Sequence, residues 1–211
     1  MNTDDFITAL SADTTRRAPL SRRFGFALAV GAAISLVVFM AALGPRPDVM
    51  AAAHTMRFDL KFLDTLALLA PSGLLCLRLS RPEMAPSALL GWLLVPVALL
   101  AVAVAVELAS VPRELWLTKV IGKNWWHCLM LVPVFALPPL AALILALREG
   151  APRYPALTGA MAGAAAAGIS ATIYATNCTD DSPLFVATWY PLATGVVVAL
   201  GALAGRRWLT W

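Results

Sequence analysis

Two cysteines are the residues of this 211-residue sequence with the most readily defined chemistry. Cys128 follows His127 at the start of one long apolar run, and Cys178 precedes Asp180 and Asp181 just after the next such run. Successive membrane-crossing runs alternate in direction, so we expect both thiols on the same side and at similar depth. The pair could form a disulfide in an oxidising compartment. With His127 it could instead bind a soft metal such as Cu(I) or Zn.

Simple burial, without a chemical role, is a third interpretation of the two cysteines. Free cysteines are often small buried apolar side chains. Cys76, the third cysteine, falls near the opposite end of its apolar run and is poorly placed to meet the other two. The sequence has neither a CxxC pair nor zinc-finger spacing. The residues alone therefore leave a disulfide, a metal site and simple burial open.

Arrangements typical of enzymes are missing from the sequence. It has two histidines, His54 and His127, no nucleophile motif around a serine and no phosphate-binding glycine loop. Charges within the apolar runs are scarce: Glu107 lies at an end, and Asp64 lies three residues after Lys61, with which it could pair. We therefore expect no catalytic activity, and the apolar mid-span positions argue against an ion-coupled transporter.

The composition predicts an all-α membrane protein. Hydrophobic residues make up 60% and charged residues 13% of the chain, against about 45–50% and about 25% in soluble domains. Crossing a bilayer core takes roughly 20 apolar residues in a helix. Six runs meet this need, which predicts a six-helix transmembrane bundle with spans at 24–43, 62–79, 88–108, 126–147, 156–176 and 186–204.

The distribution of basic residues predicts the orientation. With the N-terminus inside, ten of the 16 basic residues fall on the cytoplasmic side and the other six on the outer side. The positive-inside rule then places both termini of a multi-pass membrane protein in the cytoplasm. Because the net charge of +4 resides mainly in short loops, we expect no direct binding to nucleic acid.

Small residues predict how the helices pack. Gly159 and Gly163 in the fifth span, and Gly201 and Gly205 in the sixth, have the four-residue spacing that permits close backbone approach. We expect these glycines to pack helices within one bundle rather than between two chains, and a homodimer remains possible.

The N-terminal segment, 1–22, is predicted to be a cytoplasmic unit separate from the transmembrane domain, 23–211. Residues 3–10 (TDDFITAL) read as a helix start, because Thr3 can cap it and acidic residues complement the helix dipole. Its apolar side chains share one face: Phe6, Ile7 and Leu10. Membrane-surface helices are usually basic, so this acidic helix favours a protein partner. A frayed tail with a chance pattern is the alternative.

These features together resemble the negative regulator of sigma-F family, six-span membrane anti-sigma factors of proteobacteria. The resemblance covers nearly the whole chain. It rests on residues 3–10, on the basic lead-in to the first span, on residues 126–128 (WHC), and on residues 177–185 (NCTDDSPLF) followed by Trp189 and Tyr190.

The resemblance implies a stress-response regulator of transcription. Its cytoplasmic tail would hold an extracytoplasmic-function sigma factor away from RNA polymerase, through Asp4, Asp5, Phe6, Ile7 and Leu10. The outer cysteines, Cys128 and Cys178, with His127 beside them, would sense oxidants or heavy metals and release the sigma factor. Copper, zinc or cadmium would act as a signal, and no cofactor would be required.

Two rival functions are compatible with a membrane bundle. A thiol oxidoreductase that uses a quinone would need a reactive pair, usually CxxC, which the sequence lacks. A small-molecule permease is disfavoured by the apolar mid-span regions.

Overall fold

The computed structural model describes residues 3–12, 19–83 and 90–210. Over these residues the fold is all-α and contains no strand. Short 3-10 turns, Leu90–Leu93 and Arg113–Leu115, lead into two of the helices. The α-helices in chain order are α1 (Thr3–Ala12), α2 (Leu20–Ala42), α3 (Val49–Ala52), α4 (Met56–Leu79), α5 (Leu94–Ser110), α6 (Trp116–Ile121), α7 (Trp125–Leu147), α8 (Pro155–Ala175) and α9 (Pro183–Trp208).

Six helical segments in the described residues are long and apolar enough to cross a membrane, which confirms the predicted six-span architecture. The first two begin earlier than predicted, because the helices continue through Arg23 and Lys61 beyond the apolar run. Residues 88 and 89, where the third span was expected to begin, lie outside the described residues. The segments are Leu20–Ala42, Met56–Leu79, Leu90–Ser110, Arg113–Leu147, Pro155–Ala175 and Pro183–Trp208.

Helix α8 lies at the centre of the bundle. Alanine and glycine dominate its sequence, and it is buried along most of its length. It packs against α4, α7 and α9. Lipid provides no hydrophobic drive for helix association, so small side chains that allow close packing explain why this helix takes the central place.

The seam between α8 and α9 is closed by the predicted glycines. A Cβ atom on Gly159 would overlap the carbonyl oxygen of Gly201, and one on Gly201 would overlap that of Gly159. A Cβ atom on Gly163 would lie 2.5 Å from the carbonyl oxygen of Val197. The prediction that these glycines pack helices within one bundle is therefore confirmed.

Helix α2 packs along α7 in a similar way. Gly31 allows the backbone of Pro139 to approach, and a Cβ atom there would clash with the proline. Nearby, the Ser35 hydroxyl donates to the carbonyl oxygen of Phe135 at 2.6 Å, and the Phe39 ring meets the Phe135 ring edge-on. Since a proline frees carbonyls inside a helix, a donor from a neighbour helps to satisfy them.

Two buried clusters divide the bundle along its length. The smaller contains Cys128 and Cys178 and marks what we call the cysteine end. The larger contains Cys76 and extends towards the terminal end, where α2 begins and α9 ends. Helix α5 is the least enclosed span, and its buried residues are Pro96 and Glu107.

Candidate functional site

The two cysteines that were predicted to lie on the same side come together at the cysteine end. Cys128 lies in the first turn of α7, and Cys178 lies in the loop 176–182 between α8 and α9. Both are free thiols, buried in the same cluster as Tyr174 and Tyr190. Cys76 belongs to the other cluster, as its sequence position predicted.

A buried lysine holds the Cys178 backbone in place. The Lys61 ammonium, fully enclosed within the bundle, donates to the carbonyl oxygen of Cys178 at 2.9 Å. It also pairs with the Asp181 carboxylate at 2.5 Å. The expected pair between Lys61 and Asp64 is wrong, because Lys61 reaches across the bundle to the loop instead. One carboxylate oxygen of Asp64 is buried with no hydrogen-bond partner among the described residues.

Arg46 reaches the same loop from the α2–α3 connection. Its guanidinium donates to Asp181 at 2.9 Å and to the carbonyl oxygen of Cys178 at 3.4 Å. It also donates two hydrogen bonds of 2.6 Å to the Asp48 carboxylate. The hydrogen bond with Asp48 raises the pKa of Arg46 and lowers the pKa of Asp48. Two cations therefore converge on the Cys178 carbonyl and the Asp181 carboxylate.

Asp180 ties the loop to the start of α7. Its carboxylate accepts hydrogen bonds from the backbone N–H of Lys123 at 3.0 Å and of Asn124 at 2.8 Å. The Asn124 side-chain amide donates to the same oxygen at 2.9 Å. An anion is favourable at a helix N-terminus. Because the Cys128 N–H donates to the Asn124 carbonyl oxygen, the two cysteines are linked through a short hydrogen-bonded path.

Glu107 ties the same loop to α5. Its buried carboxylate pairs with Arg57 at 2.7 Å and with Lys119 at 3.3 Å, and it accepts a hydrogen bond from the Ser182 hydroxyl at 3.2 Å. The Asn177 side-chain amide donates a further hydrogen bond to the carbonyl oxygen of Gly44 at 2.9 Å. The loop 176–182 is thus bonded to several separate segments of the cysteine end.

The chemical state of Cys178 follows from its surroundings. Burial raises the pKa of the Cys178 thiol, and the positive charge of Lys61 only partly opposes this effect. A protonated thiol is a poor nucleophile and a poor metal ligand. Burial and the raised pKa therefore both disfavour reaction of Cys178 in this arrangement.

His127 does not join the two cysteines. Its side chain is exposed whereas that of Cys128 is buried, since successive residues of a helix point about 100° apart. In the part of the chain that the structure describes, no three His, Cys, Asp or Glu residues are arranged to hold a metal ion. The three-residue metal site of His127, Cys128 and Cys178 is thus not assembled here.

The predicted N-terminal helix forms as α1, from Thr3 to Ala12. Asp4, Asp5 and Ile7 are exposed on it. The side chains of Phe6 and Leu10, the other two predicted contact residues, lie outside the described part of the chain.

Three residues of the cysteine end went unrecognised in the sequence. Tyr190, which the sequence singled out only through the family resemblance, is buried beside the thiols, and its hydroxyl has no partner within the described ranges. Arg46 counted only among the basic residues used for orientation, and Lys61 only as a possible partner of Asp64. A lysine adjoining an apolar run could have indicated a buried partner, because uncompensated charges are costly there.

Comparison with known proteins identifies full-length relatives. The family model described as "Negative regulator of sigma F" matches residues 9–211. A curated protein of Caulobacter vibrioides (strain NA1000 / CB15N), "Anti-sigma-F factor NrsF", is 35% identical over 218 residues, covering 100% of both chains. "Probable anti-sigma-F factor NrsF" of Azospira oryzae (strain ATCC BAA-33 / DSM 13638 / PS) is 30% identical over 214 residues, again covering 100% of both. No solved structure matches.

Proposed function

The chain belongs to the negative regulator of sigma F family, and from this premise we propose that it is an anti-sigma factor embedded in the bacterial inner membrane. The similarity along the whole length to two proteins named as anti-sigma-F factors carries the proposal. The family is one of regulators, not enzymes, which argues against the thiol oxidoreductase and permease alternatives. Its partner is a sigma factor, and we propose one of the extracytoplasmic-function type.

The N-terminal helix α1 is the proposed sigma-binding element. It is amphipathic in sequence, and it exposes Asp4, Asp5 and Ile7. An acidic helix with an apolar face fits a groove on a protein better than an anionic membrane surface.

Co-purification of the sigma factor with the detergent-solubilised protein tests this role. Deleting residues 1–12 should abolish co-purification. Ile7→Ser should weaken binding about tenfold or more, because the loss of a buried isoleucine contact is worth roughly 1.5–3 kcal/mol. Thr8→Ser, the neighbouring change that keeps a hydroxyl, is the matched control. Full binding by the deletion variant would show that another segment holds the sigma factor.

Cys128 and Cys178 are the proposed sensor. Two observations support this role. Both cysteines lie in the same buried cluster, and the loop 176–182 is hydrogen-bonded to several separate segments of the cysteine end. Disulfide formation would join the two sulfur atoms, and two protons and two electrons would pass to a thiol oxidant. A soft metal ion such as copper, zinc or cadmium would instead displace both thiol protons and bridge the thiolates. Either event would favour a bundle packing other than the one that buries both free thiols.

Helix α7 offers a direct route between the two ends. Cys128 lies in its first turn, and Glu149 just beyond its last turn pairs with Arg23 at the start of α2. Since α2 follows α1 in the chain, a shift of α7 would also move the start of α2, where the sigma-binding segment enters the membrane.

A sigma-dependent reporter tests the sensor. Cys128→Ser with Cys178→Ser should lose induction by cadmium, copper or a thiol oxidant and keep repression in unstressed cells. Cys76→Ser changes the thiol of the other cluster and should respond normally. Undiminished induction in the double variant would eliminate the two cysteines as the sensor.

We further propose that both termini face the cytoplasm, with the cysteine end outside. Six crossings place the termini on one side, and the count of basic residues favours the cytoplasm. Alkaline phosphatase fused after residue 211 should be inactive, and the same enzyme inserted after Glu114 should be active. The reverse pattern would invert the topology.

A further inference from the structure

A long apolar groove runs between α7 and α9 towards the terminal end. Its volume is about 650 Å³, within the range of roughly 300–1,000 Å³ that small-molecule sites occupy. Exposed side chains such as Leu145 and Leu203 form its walls, so it opens to the surroundings of the bundle. The groove therefore presents a continuous apolar surface to any molecule lying alongside the bundle.

The mouth of the groove is positively charged. Arg148 and Arg207 line it together with Trp208, and no acidic residue of the described ranges does. Neither arginine has an ion pair among the described residues, although Glu149, the neighbour of Arg148, is paired with Arg23. Guanidinium groups suit phosphate, which they can bind through two parallel hydrogen bonds.

A second groove shows what distinguishes this one. The groove between α4 and α5 has a similar volume, about 630 Å³, and is also apolar. Its arginine, Arg57, is already bound to the buried carboxylate of Glu107. Of these two grooves in the described structure, the α7–α9 groove is the one that combines apolar walls with unpaired cations.

We propose that the α7–α9 groove binds one anionic glycerophospholipid. The phosphate pairs with Arg148 and Arg207, and an acyl chain lies along the leucine-lined walls. Trp208 adds an amphipathic ring at the level of the headgroup, where tryptophan is favoured. Basic pockets between spans on the cytoplasmic side are suited to anionic headgroups.

Native mass spectrometry of the full chain, released from nanodiscs of equimolar phosphatidylglycerol and phosphatidylcholine, tests the site. The wild type should retain one phosphatidylglycerol in preference to phosphatidylcholine. Arg148→Gln with Arg207→Gln should bind it about thirtyfold more weakly, which corresponds to about 2 kcal/mol. Arg78→Gln with Arg81→Gln removes the same charge from the same end outside the groove and should retain the lipid.

A pair of uncharged variants tests the groove itself. Ala141→Trp fills it and should reduce retention of phosphatidylglycerol, whereas Ala101→Trp, on the exposed surface of α5, should not. Each variant is first required to elute as a single folded species and to unfold at a temperature close to that of the wild type.

Three results would overturn the proposal. One is equal retention of the two lipids by the wild type. Another is an equal loss in the two arginine pairs, because general basic attraction would then explain binding. The third is normal lipid retention but lost sigma-factor binding in the Arg148 and Arg207 variant, which would assign the surface to the protein partner.

Discussion

The carbonyl oxygen of Cys178 accepts hydrogen bonds from Lys61 and Arg46, while the thiol of the same residue lies in the apolar cluster. One residue therefore belongs to both the buried cysteine pair and the charge network. A change in sulfur chemistry that displaces the backbone of Cys178 would also move its carbonyl group and weaken its hydrogen bonds to the two cations. This coupling is local and depends on no distant pathway.

We expect the thiol of Cys178 to be alkylated slowly in the folded protein. Because burial raises its pKa, less of the thiol is ionised near neutral pH, and the thiolate is the nucleophile. In a variant with Cys76→Ser and Cys128→Ser, reaction with iodoacetamide near neutral pH should be more than about tenfold slower than after denaturation in SDS. The rate in the folded protein should still be rising above about pH 8.5, the ordinary pKa of a thiol. A plateau reached below that pH would mean a lowered pKa.

Replacing the buried Lys61 should lower the stability of the folded protein. Lys61→Met removes one partner of a buried ion pair and leaves Asp181 with Arg46 as its remaining cation in the described structure. Breaking a buried pair from one side costs about 3–5 kcal/mol when the remaining charge has no partner, and Arg46, which still pairs with Asp181, should keep the loss near or below the lower end of this range. Thermal unfolding in detergent should show a large fall for Lys61→Met and little change for Lys123→Met, whose side chain is exposed. Equal unfolding temperatures would mean that the pair adds nothing to stability.

At the scale of the elements, backbone contact defines the α8–α9 seam. Gly201 leaves no room for a methyl group, because a Cβ atom there would lie 2.3 Å from the carbonyl oxygen of Gly159. A Cβ atom on Gly195, in the same helix, would meet no neighbouring element of the described structure within 4 Å. Gly201 and Gly195 therefore provide a matched comparison within α9. Gly201 is needed for close contact with α8, and Gly195 is not.

Gly201→Ala should push α9 away from α8 and lower the unfolding temperature or the yield of folded protein. Gly195→Ala should be neutral or slightly stabilising, since alanine favours a helix over glycine by about 1 kcal/mol. Thermal unfolding of both variants in the same detergent gives the comparison. If Gly201→Ala were as stable as Gly195→Ala, the close approach of the two helices would be incorrect.

The elements were more predictable than their contacts. The six spans follow from local hydropathy, and the glycine spacing correctly indicated packing inside the bundle. The partner of Lys61 could not be predicted in the same way. It donates to a residue 117 positions away, while the helix rule that suggested Asp64 considers only neighbours in sequence. Side-chain partners of this kind depend on which loops fold over which helix ends.

On the scale of the whole molecule, the bundle has two chemically different ends. The cysteine end carries buried ion pairs around a thiol pair. The terminal end carries exposed arginines and the Arg23–Glu149 pair. Helix α7 runs between the two ends, from Cys128 in its first turn to Glu149 just beyond its last turn.

Glu149→Gln tests the proposed route along α7. The pair with Arg23 is exposed, and such pairs contribute about 0–1 kcal/mol, so the unfolding temperature should hardly change. Sigma-factor binding should persist, but induction by oxidant or metal should fall at least severalfold in the reporter strain. Glu83→Gln, at an exposed acid of the same end, is the control. Normal induction in Glu149→Gln would exclude this pair from signal transfer.

The central place of α8 has a consequence for how the protein is made. This helix is the least hydrophobic of the six spans and the most enclosed by its neighbours. A newly synthesised segment rich in alanine and glycine gains less from lipid than the other spans, and α9 shares the glycine seam with it. We therefore expect α8 and α9 to enter the bilayer together, as a helical hairpin that carries the Cys178 loop between its helices.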